Sequence, residues 1–262
     1  MTNFKYRSAL ITGASSGIGK AFAYELAKKG VNLVITARSE NKLSQMAEDL
    51  QSKFKIQARY IVADLSDLRS PKFIYQEIKK LGLTIDLLIN NAGIGKWTNF
   101  LDQSLETYQS MLHLNINSLL SLTHLFLPEM LQNNNGGIVN IASTGALQPC
   151  PYIAVYCASK SFVLNFSESL HGEYADRGIV VTCICPGNTD TGFQASANAN
   201  TAGMKYESPE EVAKQSLDAL LRKKNNKIIG FDNVLQSLIP RLLPRKTVIN
   251  IVKNMMDKKV NG

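Results

Sequence analysis

The chain has 262 residues, 45 % hydrophobic and 19 % charged, with no internal repeat or low-complexity stretch, which excludes a disordered or repeat-built protein and suits one α/β domain. The net charge is +8, and the ten basic and two acidic residues from Arg222 onward carry all of it, so a neutral body bears a basic tail. No apolar run approaches the roughly 20 residues that span a bilayer, and the residues from Met1 to Arg7 lack a signal-peptide pattern, so a cytoplasmic protein is expected.

Apolar runs at 8–12, 32–37, 57–63, 85–90, 137–142, 179–185 and 227–230 predict about seven strands. Amphipathic segments at 18–29, 41–53, 69–81, 105–131, 155–174 and 209–221 predict helices between them. Near-continuous apolar strands alternating with helices indicate a parallel sheet with helices on both faces. Right-handed crossovers make that sheet doubly wound, a Rossmann-like single domain over residues 1–230. Residues 231–262 then form a basic helical C-terminal extension. Ligands of such sheets bind beyond the carboxyl ends of the strands, and each motif below follows a strand.

The first strand runs into Thr12-Gly-Ala-Ser-Ser-Gly-Ile-Gly19. Gly13, Gly17 and Gly19 let the backbone turn tightly beside a pyrophosphate, and the helix that opens there offers free N–H groups. The second strand ends in Ala37, where an NAD-binding fold would place an acid, and Arg38 follows. A charge-assisted bond from Arg38 to a 2′-phosphate contributes about 1.5–3 kcal/mol, a roughly tenfold to hundredfold preference for NADP(H) over NAD(H). Asp64 either bonds an adenine amine or caps the next turn. The small polar loop from Asn90 to Gly93 either ties strand ends together or lines the cofactor.

Ser143 stands just past the fifth strand. Tyr156 and Lys160 lie four apart on a helix, on one face. A lysine ammonium about 4 Å from a phenol, at an effective dielectric near 20, favours the phenolate by about 4 kcal/mol. That is worth about three pKa units and brings an acid/base toward neutrality. Such a pair is common on helices; Ser143 and the glycine loop in the same chain give it weight.

Taken together, Thr12–Gly19, Asn90–Gly93, Asn115, Ser143, Tyr156-Cys-Ala-Ser-Lys160 and Pro186-Gly187 resemble the short-chain dehydrogenase/reductase family in its compact single-domain form, over about residues 6–230. The resemblance implies an oxidoreductase moving a hydride between NADP(H) and a ketone or secondary alcohol. Tyr156 would be the acid/base, Ser143 would orient the carbonyl oxygen, and Lys160 would lower the Tyr156 pKa and hold the nicotinamide ribose. Asn115 would position a proton-relaying water, and Thr189 would hold the carboxamide. The cofactor set implied is Gly13, Ser15, Ser16, Gly17, Ile18, Gly19, Arg38, Ser39, Asp64, Leu65, Asn91, Ala92, Gly93, Tyr156, Lys160, Pro186, Gly187 and Thr189. A homodimer or homotetramer is also implied.

Substrate contacts are expected from Ser143, Gln148, Tyr152 and Phe193, with Ile94, Trp97 and Met204 completing an apolar wall, so the ketone or alcohol is expected to be hydrophobic. Residues 188–206, rich in small and polar side chains, read as a mobile lid. Beyond Phe231 the tail carries apolar residues at helical spacing, interrupted by Pro240 and Pro244. Its stripe is expected to pack on the body or a second subunit; contact with an anionic membrane surface is the less favoured alternative. Cys150, Cys157, Cys183 and Cys185 have no ligand spacing with His113, His124 or His171, so no metal site is expected. A non-catalytic NADP(H)-binding redox sensor is the rival, opposed by the intact Ser143, Tyr156 and Lys160. A nucleotide-sugar epimerase would need more chain after the last strand, and a nucleic-acid module would need aromatics among the tail's cations.

Overall fold

The computed structural model describes residues 4–197 and 205–261. Seven strands form one parallel sheet: β1 (Ser8–Thr12), β2 (Asn32–Ala37), β3 (Ala58–Val62), β4 (Leu87–Asn90), β5 (Gly136–Ile141), β6 (Ile179–Cys185) and β7 (Asn226–Ile228). Their order is β3-β2-β1-β4-β5-β6-β7. The chain therefore starts mid-sheet, winds outward through β2 and β3, then returns beside β1 and winds out the other way. The reversal lies between β1 and β4, where Ala9 pairs with Leu87 and Ile11 with Ile89. This is the doubly wound Rossmann-like sheet that the apolar pattern predicts.

The helices are α1 (Gly17–Ala27), α2 (Glu40–Phe54), α3 (Ser70–Lys80), α4 (Leu105–Leu112), α5 (Ser118–Gln132), α6 (Ala154–Tyr174), α7 (Phe193–Ser196), α8 (Pro209–Leu221), α9 (Phe231–Gln236), α10 (Ile239–Leu242) and α11 (Arg245–Val260). Side chains alternate across each strand. Ala9, Ile11, Ile35 and Ile89 face one way and meet Phe22, Leu26, Leu43, Leu50 and Leu217 of α1, α2 and α8. Leu10, Val34, Leu88, Ile138 and Val181 face the other way and meet Ile74, Ile78, Leu122 and Phe126 of α3 and α5, with Leu170 and Tyr174 of α6 alongside. Both faces are covered, so β4, β5 and β6 are buried at every position.

Local signals set the helix starts. The Ser208 hydroxyl accepts from the Glu211 N–H at 3.1 Å, and Pro209 and two acidic residues occupy the first turn of α8. The continuous helix predicted over 105–131 is interrupted. A π-turn at His113–Asn117 separates α4 from α5, an irregularity frequent at functional sites. The tail prolines interrupt the helical run as expected, splitting it into α9, α10 and α11: Pro240 lies in the first turn of α10 and Pro244 caps α11, places where a missing N–H costs little.

Candidate active site

The strand ends at the β1/β4 reversal open onto one cleft of about 1540 Å³ that runs from Arg38 to α11. Its first end is built by the glycine loop. Gly13 and Gly17 sit at φ +63° and +53°, in the left-handed region that side chains rarely adopt. A Cβ at Gly17 would lie 2.8 Å from Thr191 Cγ2, so the loop leaves room only for backbone. Ser16 makes no side-chain cap on α1, so first-turn N–H groups remain for an anion. Gly13, Ser15, Ser16, Gly17 and Ile18 line the cleft. Gly19 lies behind them, against the Gly13 carbonyl and the Asn91 amide.

The loop after β4 both ties strand ends and lines the cleft. Thr12 Oγ1 accepts from the N–H groups of Asn91 at 2.9 Å and Ala92 at 3.0 Å. The Asn91 amide donates to the Thr12 carbonyl at 2.9 Å. Asn91, Ala92 and Gly93 then face the cleft. Asp64 caps its turn and also faces the cleft. Its Oδ1 accepts from the Ser66 N–H and hydroxyl at 2.9 and 2.7 Å, while the residue lines the cleft beside Leu65. Arg38 is exposed on the cleft with Ser39, and Lys42, one turn into α2, adds a second cation that the sequence pattern gave no reason to single out. Pro186, Gly187 and Thr189 line the opposite wall.

At the far end of the β5 edge stand Ser143, Tyr156 and Lys160. Ser143 Oγ accepts from the Gly145 N–H at 3.1 Å, and its own O–H is the donor that faces the Tyr156 phenol. Burial pushes that phenol above its ordinary range, and the Ser143 bond opposes the rise. Lys160 is buried, and its Nζ donates to the Ile141 carbonyl at 2.8 Å. Burial brings its ammonium down to about 8. Nζ lies 5.8 Å from the Tyr156 ring centre. At about that separation and an effective dielectric near 20, a charged ammonium favours a phenolate by about 3 kcal/mol, or about two pKa units.

Asn115 is placed by the π-turn and is fully buried. Its Oδ1 accepts from the Ile94 N–H at 3.0 Å, and its Nδ2 donates to the Ile94 carbonyl at 2.9 Å and to Ser159 Oγ at 3.0 Å. The side chain thus braces the strand-end loop against the catalytic helix. Gly93 allows this close approach: a Cβ there would sit a tight 3.2 Å from both Asn115 Oδ1 and Lys160 Nζ.

The substrate end departs most from expectation. Ile94, Trp97, Gln148 and Phe193 line the cleft, and Phe193 leans on Tyr156 with ring centres 5.5 Å apart. Tyr152 does not line it. It sits at φ +69°, and its hydroxyl donates to Asp257 Oδ1 at 2.7 Å, so it anchors α11 instead of facing substrate. Met204, with the rest of 198–204 in the segment read as a lid, lies outside the described residues. The tail supplies the wall that sequence reasoning missed. Val248, Val252 and Met256 of α11 pack against Cys150 and Cys157, with Trp97, Tyr152, Ile153 and Tyr156 beside them. Ile251 and Met255 line the same cleft. The helical stripe was readable; its partner was not.

The sequence profile of the family described as short chain dehydrogenase matches residues 7–202. The very-long-chain 3-oxoacyl-CoA reductase of Homo sapiens is 34 % identical over 254 residues, covering 94 % of this chain and 78 % of that one. A short-chain dehydrogenase from Sphingobium yanoikuyae in complex with NADPH matches with a TM-score of 0.82 at 28 % identity, covering 90 % of this chain and 96 % of that one. The bulky-bulky ketone specific alcohol dehydrogenase from Comamonas testosteroni gives 0.78 at 29 % identity, covering 93 % and 100 % of the two chains.

Proposed function

Because this chain belongs to the short-chain dehydrogenase/reductase family, oxidoreductases acting on CH–OH or C=O groups with a nicotinamide dinucleotide, we propose that it interconverts a hydrophobic ketone and its secondary alcohol with NADP(H). The observation that carries this is the meeting of Ser143, Tyr156 and Lys160 where the glycine-loop cleft opens to an apolar wall. The residues present fit the dinucleotide: the loop of Gly13 and Gly17 is open to backbone N–H groups, and a Cβ would fill it. When bound, the dinucleotide supplies or takes the hydride. Ser143 holds the substrate oxygen through its O–H, which turns to that oxygen from the Tyr156 phenol. Tyr156 gives that oxygen a proton during reduction and removes one during oxidation. Lys160, charged near neutrality, favours the phenolate that Tyr156 leaves behind. Asn115 acts as a positioning residue by fixing Ile94 and Ser159. Preference for NADP(H) is supported by Arg38 and Lys42 on the cleft, with Ala37 in place of an acid.

An apolar substrate is supported by Ile94, Trp97, Phe193 and the α11 face, and by relatives named for 3-oxoacyl-CoA and bulky ketones. We place the enzyme in a reducing, cytoplasmic setting, supported by four buried free cysteines, as a homodimer or homotetramer, supported by exposed Leu105 and Leu120 on α4 and α5. The test is NADPH oxidation against apolar and polar ketones. Turnover of apolar ketones, abolished in Tyr156→Phe while NADPH binding persists, is expected. Equal turnover in that variant, or reaction of small sugars alone, refutes the proposal.

A further inference from the structure

The tail uses only part of its apolar surface on the body. Val248, Val252 and Met256 are buried there. The stretch just before them is not. Val234, Leu235, Leu238, Leu242 and Leu243 are all exposed, Leu235 by 60 % and Leu242 by 78 %. None of the five lines the cleft. Val234, Leu235, Leu238 and Leu242 recur at the spacing of one helical face across α9 and α10. A cluster of this kind marks an interaction surface rather than ordinary scattered exposure.

Charge identifies the partner. Arg241, Arg245 and Lys246 are exposed among these residues, and no acidic residue occurs between Asp232 and Asp257. A second copy meeting this face across a two-fold axis would bring the same cations toward each other. Protein interfaces also deplete charge at their core. Cations interleaved with bulky apolar side chains instead match lipid phosphates above acyl chains. The patch is also continuous with the cleft: Phe231 and Ile239 line the cleft and are themselves exposed.

We propose that α9, α10 and the start of α11 form a docking surface for an anionic lipid bilayer. Leu235, Leu238 and Leu242 enter the acyl boundary, and Arg241, Arg245 and Lys246 contact the phosphates. At 6 and 4 residues, α9 and α10 are too short to cross a bilayer, so the contact is with one leaflet. The surface is independent of which ketone the site reduces.

The test is co-sedimentation of the full chain with vesicles of phosphatidylcholine alone and of phosphatidylcholine mixed with phosphatidylglycerol. Binding to the anionic vesicles should exceed binding to the neutral ones by at least about tenfold and weaken in high salt. Leu235→Asp/Leu242→Asp and Arg241→Gln/Arg245→Gln/Lys246→Gln should each lose it, with NADPH binding, melting temperature and turnover of a water-soluble ketone unchanged. Those readouts separate failed docking from a failed fold or a mistaken reaction. Absence of sedimentation, equal binding to both vesicle types or unaltered binding by the variants overturns the proposal. So does light scattering in which Leu235→Asp/Leu242→Asp splits an oligomer, because a second copy would then be the occupant.

Discussion

Replacing Lys160 with Met should make the protein more stable and far less active. Lys160 is 5 % exposed, and among the described residues no carboxylate pairs with it. Its Nζ donates to the Ile141 carbonyl at 2.8 Å. Burial holds its ammonium at about 8, below the ordinary 10.5. The sign follows from proton counting. Between pH 8 and 10.5 the unfolded chain keeps the proton that the folded chain loses, so this group makes the fold more stable as pH rises. Below pH 8 the folded protein carries the full cost of a buried charge, about 3 kcal/mol. Methionine fills the same length without charge, and leaving the Ile141 carbonyl without a donor costs back about 1 kcal/mol. The net gain near pH 7 is about 2 kcal/mol, or a rise in melting temperature of about 4–8 °C. The gap to the parent protein should close as pH approaches 10.5. Meanwhile Tyr156 loses about 3 kcal/mol of phenolate stabilisation, so alcohol oxidation should fall about a hundredfold at neutral pH. Thermal melts across pH and initial rates on one preparation check both. A lower or unchanged melting temperature refutes the assignment of Lys160 as an uncompensated buried charge. Turnover within a factor of about three of the parent refutes its electrostatic role.

Arg38→Ala should lower the NADPH-over-NADH preference about tenfold to a hundredfold in kcat/KM, with Tyr156 chemistry intact for NADH. Asn115→Ala strands the Ile94 N–H and carbonyl and should cost about 2–3 kcal/mol in denaturant melts. It should also lower kcat more than it raises KM, as expected of a positioning residue and not of a substrate contact. Met256→Ala removes a buried side chain between α11 and Cys150 and Cys157 and should cost about 2–5 kcal/mol. Its KM for bulky ketones should rise more than that for small ones, and equal effects on both would detach α11 from the substrate wall.

The sheet was legible because its central strands are buried on both faces. With helices on either side, β4, β5 and β6 have no polar face, and a continuous apolar run is their signature. The glycine loop and the Tyr156/Lys160 spacing were legible for a related reason: each function is carried by neighbours along one turn, where sequence distance and spatial distance agree. The π-turn at Asn115 was not. The residues around it keep helical periodicity, and what widens the turn is a side chain bonded to Ile94, 21 positions away.

Tyr152 and the tail show the same limit at longer range. An aromatic beside the catalytic segment reads as a substrate wall, yet its left-handed backbone and its bond to Asp257, 105 positions on, turn it to another task. Local pattern told that α11 has an apolar stripe but not that half of it would close the cleft. Nothing within a few residues of Val252 distinguishes packing on Cys157 from packing on a second chain. The converse holds for Leu235 and Leu242. Their periodicity matches that of buried helices, but the structure leaves them exposed beside Arg241 and Arg245. That mismatch between an apolar stripe and an uncovered surface becomes visible only when pattern and fold are compared. It is therefore the tail, the least decided segment by sequence, that carries both the apolar wall of the site and the surface least explained by the fold alone.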